Sequence, residues 1–201
     1  MILKSVFNIV RFRIWFDMSL LKPFNRRPDL NSAAILLVAQ EEEFPQRLAE
    51  SLLKETAVTL NVRLANSLPL PVEHQHSRPR IDLVVFIINL SSELSIESAQ
   101  DSLKYLDPGY FLGKVCFMGT NARNATVPPE RLDALRKLAA SQCCTLLFAE
   151  DQTTDGATNV SERLLTILKV SAGLVPMTTA LYLSNLTMCT VPSETNEVDF
   201  D

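Results

Sequence analysis

Five places in the sequence hold side chains that could do chemistry. Gly109-Tyr110-Phe111-Leu112-Gly113-Lys114 looks like a phosphate-binding loop. The junction Ala39 to Gln46 follows an apolar run, where a nucleotide-binding fold would place such a loop. His74 and His76 could ligate a metal, Cys143-Cys144 could supply a thiolate, and Asp82 could act as acid or base. Each is decided by its spacing and its neighbours.

A phosphate loop needs G-x-x-x-x-G-K-[ST] between a strand and a helix. Its glycines expose backbone N–H groups, its lysine meets the phosphates and its hydroxyl meets Mg²⁺. The junction here reads Ala39-Gln40-Glu41-Glu42-Glu43-Phe44-Pro45-Gln46. Phe44 replaces the second glycine, Pro45 the lysine and Gln46 the hydroxyl. Pro45 also removes a donor. Each carboxylate brought within about 4–6 Å of a phosphate costs on the order of 1–4 kcal/mol. The alternative reading of Glu41-Glu42-Glu43 is a solvated helix start favoured by the dipole; it excludes phosphate equally. The 109–114 segment has one residue too few between its glycines, Val115 in place of the hydroxyl, and enters a strand instead of leaving one. Tight turns account for Gly109 and Gly113.

The remaining chemistry also fails. A guanine-reading N-K-x-D loop has no counterpart in Thr120-Asn121-Ala122-Arg123, where a cation replaces the acceptor. No D-x-x-G switch is possible early, because no glycine precedes Gly109. His74 and His76 lie in a proline-bounded loop without a cysteine or carboxylate cluster, and read as a solvated pair. Cys143 and Cys144 have no activating base in the sequence, and there is no G-x-S-x-G elbow. Asp82 reads as a local hydrogen-bonding group. No catalytic residue, metal ligand or cofactor is expected.

The elements that would position such residues alternate regularly. Ala33–Ala39, Ile81–Leu90, Lys114–Thr120 and Thr145–Ala149 are apolar runs expected of strands covered on both faces. Leu60–Leu64 alternates weakly and is expected at a sheet edge. Helical spacing joins Phe44, Leu48 and Leu52, then Ile96, Ala99, Leu103 and Leu106 after a Ser91-Ser92 cap. It recurs in Leu132, Leu135 and Leu138 after Pro128-Pro129. Val160, Leu164, Ile167 and Leu168 mark a last helix, stopped at Gly173. Strand–helix alternation predicts a three-layer α/β fold with a mostly parallel sheet, whose ligand loops follow the carboxyl ends of the strands. The expected organisation is an extension over 1–17, disordered or preceding an alternative start at Met18, a domain over 18–175, and a segment 176–201 ending in an acidic tail.

Bulk properties narrow the partners. The 201 residues carry 19 basic and 23 acidic groups, a net charge of −4. With no basic block, direct nucleic-acid binding is not expected. No apolar run reaches membrane-spanning length, so no membrane partner is expected. Only five glycines occur, about a third of ordinary usage. That scarcity disfavours any early loop needing positive φ or close backbone approach to phosphate.

The strings Ser67–Pro71 (SLPLP), Arg78–Leu90 (RPRIDLVVFIINL) and Phe111–Phe117 (FLGKVCF) resemble the vertebrate centromere protein M family. So do Leu30–Val38 (LNSAAILLV) and Ala172–Pro176 (AGLVP). The resemblance covers about Met18 to Leu186. It implies a small-GTPase-like fold, with P-loop NTPase-like topology, that lacks the nucleotide site. It also implies a non-catalytic scaffold in the nucleus, at the centromere and kinetochore, complexed with centromere proteins H, I and K and needed for chromosome segregation. A divergent GTPase, or a GTPase-like adaptor outside the kinetochore, is the alternative.

A scaffold acts through surfaces, and aromatic and aliphatic anchors typify interface centres. Two segments qualify: Tyr110-Phe111-Leu112, in a turn between helix and strand, and Leu181-Tyr182-Leu183, after the last helix. The candidates for a partner interface are therefore Tyr110, Phe111, Leu112, Leu181 and Tyr182, unless either segment folds back onto the domain's own core.

Overall fold

The continuous apolar runs become strands because alternate side chains serve opposite faces of one sheet. The computed structural model describes residues 10–12, 21–22, 30–70, 80–150 and 154–188. Among them are β1 (Val10–Phe12), β2 (Ser32–Val38), β3 (Thr59–Ala65), β4 (Leu83–Asn89), β5 (Val115–Thr120) and β6 (Thr145–Ala149). They stand side by side in the order β1-β3-β2-β4-β5-β6, every pair parallel. The helices are α1 (Glu43–Leu52), α2 (Glu93–Leu103), α3 (Pro129–Ser141), α4 (Thr154–Ser171) and α5 (Ala180–Met188).

Along β4, Val84, Phe86 and Ile88 enter one core with Ile96 and Ala99 of α2 and Leu135 and Leu138 of α3. Leu83, Val85 and Ile87 enter the other, with Leu48 and Leu52 of α1 and Val160 and Leu164 of α4. Burying a side chain of this size contributes about 1.5–3 kcal/mol. Phe86 and Phe117 are paired in register and stack with ring centroids 5.7 Å apart. Ser51 and Ser161 share a hydrogen bond of 2.9 Å between α1 and α4. The three-layer α/β expectation is met.

Three local expectations change. β3 is not an edge strand, because Val10–Phe12, within the segment 1–17, pairs along it with Val10 opposite Arg63. A three-residue strand containing Arg11 carries almost no periodic signal. The Ser92 side chain makes no cap hydrogen bond to α2. The helix over Val160–Leu168 is not the last: α5 follows it and contains Leu181-Tyr182-Leu183. Thr179 begins α5, its Oγ1 accepting from the Tyr182 N–H at 3.2 Å.

Candidate functional site

Side chains bridge part of the carboxyl edge of the sheet. The chain order places the switch point between β2 and β4, since β2 leads to β3 on one side and β4 lies on the other. Ligands of parallel sheets usually lie there. Here Asn89 Nδ2 donates to the Glu41 carboxylate. Asn121 Nδ2 donates to Asn89 Oδ1 at 3.0 Å, and the Ser91 N–H reaches the same oxygen at 2.9 Å. The loops after β2, β4 and β5 are thus joined. Among the described residues, cavities of about 20 Å³ beside Pro45 and Ala65 and about 10 Å³ beside Gln40 and Ser98 lie near this crevice. Pro45 is buried in the first turn of α1. A wider cleft of about 760 Å³ lies at the ends of β5 and β6, where Arg123 pairs with Glu150 beside Phe148.

The other groups considered for chemistry are committed to structure. Asp82 is buried, accepts the Ala34 N–H at 3.0 Å and pairs with Arg80 Nε at 2.5 Å. That is the local hydrogen-bonding role expected of it. Cys116 and Cys144 are buried; burial pushes both thiols up, Cys144 to about 12. Cys143 is exposed, with φ +52°. His74 and His76 lie outside the described residues. Among the described residues, no group of three His, Cys, Asp or Glu side chains could hold a metal, and no helix is long and apolar enough to cross a membrane.

The amino edge differs. Lys114, just before β5, is buried and donates from Nζ to the Ser171 carbonyl at 2.5 Å, at the C-terminal end of α4, where a cation is favoured. Ser171 Oγ returns a bond to the Gly113 carbonyl at 3.3 Å. Gly113 has φ +83°, and a Cβ there would fall 2.2 Å from the Ala180 carbonyl oxygen. The start of α5 therefore rests on the Gly113 backbone. Further along, Ser184 Oγ donates to the Cys143 carbonyl at 3.0 Å. α5 thus crosses the amino ends of β5 and β6.

This arrangement brings the two expected interface segments together. Leu112 and Leu181 directly follow or precede the residues in contact, and both face solvent, 54% and 46% exposed. Tyr182 is 59% exposed, and Leu186 and Met177 are exposed nearby. α5 turns Leu183 and the buried Ser184 towards the domain and leaves Leu181, Tyr182 and Leu186 exposed, more apolar surface than a solvated helix face usually carries. α5 carries no charged residue.

Tyr110 must be removed from the set. It is fully buried in the single 3-10 turn Pro108–Phe111, and its hydroxyl donates to the Ile81 carbonyl at 3.3 Å. Burial, with Asp82 and Asp107 nearby, raises the pKa of that hydroxyl. Phe111 is partly buried against the core that contains Phe86. Leu112, Leu181 and Tyr182 remain on the surface. The meeting of both segments at Gly113 was not foreseen. Thr179 as a helix cap was the sequence signal available for α5.

A family model described as Centromere protein M (CENP-M) matches residues 18–190. A protein of Danio rerio named "Centromere protein M" is 52% identical over 182 residues, covering 90% of this chain and 98% of that protein. One of Xenopus laevis with the same name is 43% identical, covering 88% and 99%. One of Homo sapiens, again so named, is 41% identical, covering 84% and 93%.

Proposed function

Because the chain belongs to the centromere protein M family, we propose that it is a non-catalytic scaffold of the inner kinetochore, acting in the nucleus on a GTPase-like frame. Its partners in this reading are centromere proteins I, H and K. It docks them through the apolar surface formed where α5 crosses the amino edge. The observation that carries the reading is the exposure of Leu112, Leu181 and Tyr182 around one backbone contact between Gly113 and Ala180. Aromatic and aliphatic groups clustered in this way supply the desolvated centre of an interface.

The carboxyl edge supports the non-catalytic half. Where phosphate would need glycine amides and a lysine, the chain has Glu41 bound to Asn89 and a buried Pro45. The test is localisation. Tagged wild type is expected at centromeres of dividing cells, and the Leu112→Glu/Leu181→Glu double variant is expected to be diffuse at equal abundance. Wild type concentrated away from a centromere marker would favour a GTPase-like adaptor instead.

A further inference from the structure

We infer that a groove along α2 is a second docking site, and that its occupant is a cationic, leucine-bearing segment of a partner protein. The groove encloses about 590 Å³. Its floor is Ser98 and Ser102, with Leu94 at one end and Tyr105 at the other. Its far wall is the turn Ser67-Leu68-Pro69 after β3, fastened to α2 by the Leu68 N–H donating to Ser102 Oγ at 3.1 Å. Small serines between two larger side chains leave room for an aliphatic chain. Leu94 is 65% exposed on an otherwise polar face, as an apolar anchor would be.

Charge selects the occupant. Glu97 and Asp101, four residues apart on α2, are the acidic side chains lining the groove. Glu93, one turn earlier, lies outside the lining and pairs with Arg131 at 3.7 Å. Glu41, Glu42 and Glu43 are exposed next to Gln40, which closes one end. Lys104 is the lining cation; it donates to Asp101 at 2.8 Å with both side chains more than two-thirds exposed. An exposed pair of this kind is weak and exchanges readily for an incoming lysine or arginine. The field attracts a basic helix with cations at four-residue spacing and repels nucleic acid. Leu94 lies in the first turn of α2, at the carboxyl edge, so this end of the groove is separate from the Leu112–Leu181 surface at the amino edge.

The test uses the full chain and a fluorescent 18-residue synthetic helix of leucines and lysines, with lysines at four-residue spacing, followed by anisotropy. Wild type is expected to bind, more weakly as salt rises. Glu97→Lys/Asp101→Lys is expected to weaken binding at least tenfold, and Leu94→Ala severalfold. Glu130→Lys/Glu162→Lys makes the same charge change on α3 and α4 and is expected to keep binding within about twofold. All substituted side chains are exposed, and circular dichroism confirms the fold of each variant. No binding by wild type, or equal loss in the groove variant and the control, would overturn the inference. The second result would assign the binding to net charge alone.

Discussion

The backbone of Gly113 lies directly against the carbonyl of Ala180, 67 residues later, leaving no space for a side chain between them. This contact holds α5 on the amino edge and sets Leu112 beside Leu181. Gly113→Ala adds a Cβ to a left-handed residue, a cost of about 1–3 kcal/mol before any overlap is relieved. The melting temperature should fall by about 2–4 °C for each kcal/mol, and amide exchange should accelerate over 180–188. Unchanged protection there would show that α5 is held by other contacts.

The cysteines should separate by burial. Cys116 and Cys144 are buried, with thiols pushed up by desolvation, whereas Cys143 is exposed. The thiolate is the reactive form. Brief alkylation of the native chain followed by peptide mass spectrometry should therefore modify Cys143 well before Cys116 and Cys144. Early modification of Cys116 would mean that β5 opens easily.

Lys114 gives a pH signature. Burial is the main cause lowering its pKa from the ordinary 10.5; Asp82 opposes the shift and Arg80 adds to it. The unfolded chain then binds this proton more tightly, so stability at this position rises with pH as pH approaches 10.5. In denaturant titrations the stability of wild type relative to Lys114→Met should increase between neutral pH and that value. A constant or falling difference would contradict the sign.

The layered fold was largely legible because β2, β4 and β5 are apolar on both faces and their flanking helices follow a 3.6-residue period. What stayed hidden depended on contacts distant in sequence. Tyr110 reads as an anchor until Ile81, 29 residues away, accepts its hydroxyl. α5 is short, uncharged and apolar, so its inward face is chosen by Gly113 and Cys143 rather than by its own pattern. The carboxyl edge was legible as unsuited to phosphate, but not the Glu41–Asn89–Asn121 chain that joins its loops.

That chain leads to a ligand prediction. Fluorescent GTP should show no saturable, Mg²⁺-dependent binding to the full chain in the micromolar range. Asn89→Ala should not create it, because Pro45 still stands in place of the phosphate-binding lysine. Micromolar, Mg²⁺-dependent binding to wild type would make the chain a divergent GTPase.

The central claim is that the apolar surface at the amino edge docks centromere proteins H, I and K. Its most direct test is size-exclusion co-purification of the chain with those three proteins, co-expressed. Wild type should co-elute in a single complex. Leu112→Glu/Leu181→Glu should elute alone with an unchanged melting temperature, since buried interface anchors cost about 2 kcal/mol or more each, roughly thirtyfold in affinity. A folded double variant that still co-elutes in full would contradict the account.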